Sequence, residues 1–186
     1  PMLDRAKEKV ARLLSRGVEE IFERKHLEEA LLRGKSLRVK FGIDPTGEKI
    51  HIGRAVVLWK LREFQELGHK IVLIIGDFTA QVGDPSDKFE KRPLLTREQV
   101  KKNLKHYLPQ IGKILDLKKV EVRYNSEWLS KLNFRETAEL AETFSVNQML
   151  RRRNFAERWK RGEDISLREF MYPLMQGYDS VAVRAD

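Results

Sequence analysis

The stretch KFGIDPTGEKIHIGR, Lys40–Arg54, joins two incompatible periodicities. Upstream, Leu37, Val39, Phe41 and Ile43 alternate with polar residues as a strand does. Downstream, Ile52, Val56, Val57, Leu61 and Phe64 follow a helical spacing that Gly68 is placed to stop. Ile71 to Ile75 is then an unbroken apolar run, the pattern of a strand covered on both faces of a parallel sheet. Strand, helix and strand within about 40 residues make a βαβ unit, right-handed by the twist of its strands. The turn between the first strand and its helix is where such a sheet receives phosphate. Pro45 sets a turn, Gly47 and Gly53 let backbone approach a ligand, and Asp44, Thr46 and His51 supply polar groups at the mouth. His51 stands at the helix start, where the backbone itself favours a triphosphate. No GK[ST] follows, so this is not the glycine-rich loop with lysine.

Working outward, residues 3–33 carry Val10, Leu13, Leu14, Val18, Ile21 and Phe22 at helical spacing, interrupted near Gly17 and closed by Gly34. Beyond Ile75 comes a polar loop, GDFTAQVGDPSDK. A helix is expected over 97–115, kinked or divided by Pro109, which lacks an amide donor. VEVRY at 120–124 reads as a further strand. Helices follow: 134–144, a basic stretch MLRRRNFAERWKRG, and a last helix opened by Ser166 and Glu169 at capping-box spacing. The expected fold is α/β, a Rossmann-like open parallel sheet with a helical insertion and an N-terminal helical arm. The expected segments are 2–36 for the arm, 37–88 for the first half of the nucleotide fold, 89–165 for its continuation and insertion, and 166–186 for a site helix.

The chain has 186 residues and no Cys, which excludes disulfides and thiolate metal sites and fits a cytoplasmic location. No apolar run approaches the roughly 20 residues that span a bilayer, so no membrane partner is expected. Lys and Arg number 37 against 28 Asp and Glu, a formal charge of +9 that suits a polyanionic partner or simply solubility. Pro1 before Met2 reads as a remnant of a cleaved tag.

Tyr172, Gln176 and Asp179 fall on one helix face. That spacing also describes a packing stripe, yet Asp and Gln are poor core residues because a buried carboxylate must be paired or hydrogen-bonded. The stripe therefore suggests a pocket, with a kink expected at Pro173.

PTG followed by HIG resembles the HIGH signature of class I aminoacyl-tRNA synthetases. With KFGIDPT, GDPSDK (Gly83–Lys88), NSEWLSKL and YPLMQGYDSVAVRAD (Tyr172–Asp186), the chain resembles bacterial tyrosyl-tRNA synthetases from about Leu37 onward, in the subgroup whose first motif begins with lysine. The resemblance implies activation of tyrosine by ATP and transfer to tRNA(Tyr). It implies an ATP site of Gly42, Asp44, Thr46, His51, Gly53 and Arg54, with Thr46, His51 and Arg54 catalytic. It implies a tyrosine site of Lys40, Asp84, Tyr172, Gln176 and Asp179, in which Tyr172, Gln176 and Asp84 hold the α-ammonium and Asp179 meets the phenol. Mg2+ would arrive with ATP as substrate, with no tightly bound cofactor and no protein metal site. Arg151, Arg152, Arg153, Arg158 and Lys160 would meet the tRNA acceptor stem, in an insertion that also forms a homodimer interface. A solvated helix face explains the same charges.

Two positions depart from the family. Arg54 stands where the signature has its second histidine, and it cannot copy a neutral imidazole, though it could bind phosphate or pair with Asp44. Ala80 replaces a common glycine. The family also continues past VRAD with a strand, a KMSKS loop and an anticodon region, so this chain alone is expected to bind weakly and turn over little. Competing expectations are a tryptophan-specific relative, a small adenylyltransferase, and a non-catalytic RNA-binding or dimerisation module.

Overall fold

The computed structural model describes residues 2–82 and 95–186. Three strands form one parallel sheet in the order β1-β2-β3: β1 (Arg38–Ile43), β2 (Lys70–Ile75) and β3 (Val120–Tyr124). Arg38 lies opposite Lys70 on one side of the sheet's centre, and Ile71 opposite Val120 on the other. β2 is the central strand, and Ile71 to Ile75 are all 0% exposed, as its unbroken apolar run requires.

Alternation along β2 divides the core between two faces. Ile71, Leu73 and Ile75 pack with Leu58 and Leu61 of α3 (Ile52–Glu66) and with Tyr107 and Ile111 of α4 (Arg97–Ile111). Val72 and Ile74 face the other way, toward Val183 and Trp128. The N-terminal arm has its own cluster: α1 (Met2–Leu13) and α2 (Arg24–Leu32) bring Val10, Leu13, Leu14 and Leu31 onto Leu37. Gly17 at φ +64°, between α1 and α2, and Gly34 at φ +72°, after α2, turn the chain in a region open to glycine at little cost.

The second half is helical: α5 (Ser126–Leu129), α6 (Phe134–Glu142), α7 (Val146–Leu150), α8 (Arg153–Lys160) and α9 (Leu167–Ala182). The capping box of Ser166 and Glu169 opens α9 as its spacing predicts, and similar boxes start α4, α6 and α7.

Three expectations need correcting. Val56 is 61% exposed, and the face of α3 that meets the sheet carries Leu58 beside the expected Leu61; those two lie one turn apart, whereas Val56 projects from the opposite side. Phe22 is also solvent-facing, in the bend between α1 and α2. The helix expected over 97–115 ends at Ile111, shortly after Pro109, and Pro109 lies within α4 without dividing it, as Pro173 lies within α9. Among the described residues no helix is long and apolar enough to cross a membrane.

Candidate active site

The chain leaves β1 at Ile43 and turns at once, with the Thr46 amide donating to the Asp44 carbonyl over 2.9 Å. Pro45 is fully buried. The rest of the turn is held from α4, because Asn103 Nδ2 donates to the Pro45 carbonyl at 2.7 Å and Gln110 Nε2 to the Glu48 carbonyl at 2.8 Å. The Gln110 amide oxygen in turn accepts from the Ile50 N–H at 2.9 Å. His51 then takes the N-cap position of α3 in extended conformation, and its side chain makes no capping hydrogen bond. The imidazole is exposed, and Gly53 makes room for it: a Cβ there would come within 3.1 Å of the ring.

Arg54 points inward. Its Nη1 donates to the Asp44 carbonyl at 3.0 Å and to the Tyr107 hydroxyl at 2.9 Å, and its Nη2 to Thr46 Oγ1 at 3.3 Å.

Beyond the turn, a small polar cavity of about 30 Å³ lies over the carboxyl ends of β1 and β2. Gly42, Asp44, Gly76, Thr79 and Asn125 line it from the sheet side. Tyr172, Gln176 and Asp179 close it from α9, on the one face that their spacing predicts. This volume accommodates about one solvent molecule, and the cavity reaches the surface at Gln176, which is exposed.

A chain of hydrogen bonds runs through this seam. The Tyr172 hydroxyl donates to Asp44 Oδ2 at 2.8 Å, and Thr79 Oγ1 donates to Asp44 Oδ1 at 2.7 Å. Asn125 Nδ2 donates to Thr79 Oγ1 at 3.0 Å and reaches Asp179 Oδ2 at 3.4 Å, while its oxygen accepts from the Phe78 N–H. Trp128 Nε1 donates to Asp179 Oδ1 at 2.8 Å. Gly76 is required here, since a Cβ at that position would lie 1.8 Å from Asp44 Oδ1 and 2.4 Å from Thr79 Oγ1.

Asp179 is 4% exposed, the most deeply buried acid of the described residues. Burial pushes its carboxyl above the usual range, opposed by the Trp128 and Asn125 donors and by the charge of Lys40. Two hydrogen bonds leave a carboxylate with acceptor capacity to spare. Lys40, on β1, donates to the Gln176 carbonyl at 2.8 Å and to Ser180 Oγ at 2.9 Å, so it grips the backbone of α9. Burial holds its ammonium below the ordinary lysine range, and Asp179 draws it back up.

The raised carboxyl has a readable consequence. Between the ordinary aspartate value and its own higher one, folded Asp179 binds more protons than the unfolded chain does, so stability falls as pH rises through that window. Trp128→Phe removes a donor that favours the charged form and widens the window upward. Carbon NMR of the Asp179 carboxyl should therefore titrate at higher pH in that variant; an unchanged midpoint would remove Trp128 from the account.

The structure thus brings Gly42, Asp44, Tyr172, Gln176 and Asp179 together, with Lys40 beneath α9 and Thr46 and Arg54 behind the turn. His51 stands apart from the cavity. Asp84, with the rest of GDPSDK, lies outside the described residues. Arg151, Arg152, Arg153 and Lys160 are exposed. Arg158 differs: its guanidinium pairs with Glu169 and, at 3.5 Å, with Glu163, so it ties α8 to the start of α9 rather than facing solvent. Arg54 meets Asp44 through the backbone carbonyl. Met149 is core at 5% exposed, whereas Phe144 and Val146 are exposed.

Sequence reasoning missed Gly76, Thr79, Asn125 and Trp128. Asn125 and Trp128 lie in the NSEWL segment, and a polar residue directly after the half-buried strand β3 was the available signal. A larger cavity of about 200 Å³ lies between the arm and the ends of α2 and α3, lined by groups such as Val10, Leu31 and His69. His69 Nδ1 accepts from the Leu37 N–H there at 3.2 Å, which marks it as a structural residue.

With this geometry in view, the sequence profile described as tRNA synthetases class I (W and Y) matches residues 32–186. The chain belongs to that family. Tyrosine–tRNA ligase of Carboxydothermus hydrogenoformans is 53% identical over 178 residues, covering 94% of this chain and 43% of its own length. That of Thermotoga maritima is 49% identical over 179 residues, covering 96% of this chain and 45% of its own. The chain therefore spans less than half the length of these curated class I relatives. Among solved structures, a C-terminally truncated mitochondrial tyrosyl-tRNA synthetase of Aspergillus nidulans superposes with a TM-score of 0.79 at 24% identity, over 97% of this chain and 56% of that one. The tyrosyl-tRNA synthetase of Archaeoglobus fulgidus, complexed with L-tyrosine, gives 0.75 at 22% identity, over 97% and 53%. At such identities the likeness establishes the class I synthetase fold.

Proposed function

We propose that this chain supplies the nucleotide and amino-acid site of a cytoplasmic tyrosine–tRNA ligase. In that reaction the tyrosine carboxylate attacks the α-phosphorus of ATP, pyrophosphate leaves, and the tyrosyl group passes to tRNA(Tyr). Mg2+ enters with the nucleotide as part of the substrate. Such chemistry depends on positioning and on stabilising developing charge. His51 and Thr46 serve the phosphates, helped by the N-terminus of α3. Tyr172, Gln176 and Asp84 receive the α-ammonium, Asp44 serves the ATP or amino-acid side, and Asp179 accepts from the phenol.

The observation that carries this reading is Asp179, a buried carboxylate whose remaining acceptor capacity faces a polar cavity beside the turn after β1. A site built to hydrogen-bond a hydroxyl leaves that acceptor unpaired when phenylalanine enters, and tyrosine-specific synthetases are themselves the standard example of the effect. An indole would offer its N–H from a different position on a larger ring, which disfavours the tryptophan branch of the family.

In this reading residues 2–36 are an arm, 37–88 the start of the nucleotide fold, 89–165 its continuation and insertion, and 166–186 the tyrosine helix. The exposed apolar residues Phe144, Val146 and Trp159 support a homodimer through the insertion. Arg151, Arg152, Arg153 and Lys160 supply phosphate contacts for the acceptor stem, with an affinity that falls steeply in salt. The test is ATP–pyrophosphate exchange on the purified protein with tyrosine, tryptophan and phenylalanine, alongside calorimetric binding of each. Weak binding of tyrosine alone is expected, with little exchange from a chain that spans under half of its relatives' length; a preference for tryptophan would overturn the assignment.

A further inference from the structure

We propose that Arg54 is a positioning residue that acts with Tyr107 of α4 to hold the Asp44–Thr46 turn, and that it does not touch the nucleotide. This rests on the ligase reading for the role of the turn, but the contacts stand independently.

A guanidinium carries five donors in a rigid planar fork. Three acceptors already face it: the Asp44 carbonyl at 3.0 Å, the Tyr107 hydroxyl at 2.9 Å and Thr46 Oγ1 at 3.3 Å. Two of these belong to the turn itself. The third is on a residue 1% exposed, whose hydroxyl needs a partner in the core. To bind phosphate, Arg54 would have to release the turn that presents His51 and Thr46, and would leave the Tyr107 hydroxyl without its donor.

Tyr107 is not alone on α4. Asn103, Tyr107 and Gln110 share one helix face, and each holds part of the segment from Pro45 to Arg54 by a hydrogen bond to Pro45, Arg54, Glu48 or Ile50. α4 is thus a rigid backing for the turn, and Arg54 is the strut between them. An imidazole at position 54 is shorter and carries at most two donors, so it could not span the same three acceptors. This arginine is therefore no copy of the second signature histidine: it fixes the loop that carries Thr46 and leads to His51.

The test uses Arg54→Lys, Arg54→Met and Tyr107→Phe, with circular dichroism to confirm folding. Amide hydrogen exchange of residues 46–50 reads the turn directly, and ATP–pyrophosphate exchange separates kcat from KM for ATP. Arg54→Lys keeps the charge that phosphate needs and loses the fork that the turn needs. Both Arg54→Lys and Tyr107→Phe are expected to speed exchange at 46–50 by about tenfold. Both should lower kcat by roughly 10- to 100-fold with KM for ATP within about twofold. The idea fails if Arg54→Lys is nearly silent while Arg54→Met raises KM for ATP by about tenfold or more with unchanged amide exchange. It fails equally if Tyr107→Phe leaves residues 46–50 as protected as before. If the parent chain shows neither tyrosine binding nor pyrophosphate exchange, the ligase reading is lost, and amide exchange alone decides the role of Arg54.

Discussion

Gly76→Ala is expected to destabilise the protein by about 2–3 kcal/mol, as overpacking of a tight interior does, and to abolish tyrosine binding. The added carbon would sit 1.8 Å from Asp44 Oδ1, 2.4 Å from Thr79 Oγ1 and 3.0 Å from Asp44 Cγ. Those atoms end short side chains, but neither side chain is free to yield. Thr79 holds one oxygen of Asp44 and Tyr172 holds the other. The backbone cannot retreat either, because the Gly76 amide donates to the Ile43 carbonyl at 2.9 Å and the Gly76 carbonyl accepts from Ala80 at 3.0 Å. The carboxylate must therefore rotate and break its bond to Thr79, Tyr172 or both. Gly42 provides the control: it lines the same cavity, yet a Cβ there meets nothing within 4 Å. Gly42→Ala should cost less than about 1 kcal/mol, the span of strand propensities. Urea denaturation of the two variants reads the difference, and equal costs would show that the crowding at Gly76 is not what matters.

The second large effect is at Asp179. Asp179→Ala leaves the Trp128 indole N–H and one Asn125 amide hydrogen facing each other across a buried space, at a cost of about 2–4 kcal/mol for the unpaired donors. It also removes the acceptor that separates tyrosine from phenylalanine. Asp179→Asn retains an oxygen for Trp128 but turns an amide toward the phenol or toward Asn125. Its stability should lie between parent and alanine, and its discrimination should be nearly as poor as alanine's. Calorimetry with both amino acids checks this. If both ligands lose affinity equally, Asp179 supports the site without reading the hydroxyl.

What could be read in advance followed from local pattern. β2 was legible because five apolar residues in succession have one natural home, and α9 because a capping box and a polar stripe lie within a single helix. The turn at Asp44–Thr46 was legible from proline and glycine. Asn125, Thr79 and Trp128 were not, because they reach Asp179 and Asp44 from two segments distant in sequence, one after β2 and one after β3, and neither segment by itself records that meeting. The need for glycine at position 76 is likewise set by Asp44, a residue far away in the chain. Side-chain direction was the remaining difficulty. Arg54 and Arg158 both read as cations for a polyanion, and both are turned inward onto acceptors that only the folded chain assembles. Val56 and Leu58 differ in burial although the apolar pattern favoured the former, since the angle at which α3 lies on the sheet chooses between them.

Lys40 has one more implication. Its ammonium is anchored to the carbonyl of Gln176 and to Ser180, so a single flexible stem spans from the floor of the binding region to its roof. The clearance available to an aromatic guest is then gauged by the length of that side chain. A shorter side chain at this position would free α9 from β1 at Gln176 and Ser180, leaving Trp128 and Asn125 to hold that helix at Asp179.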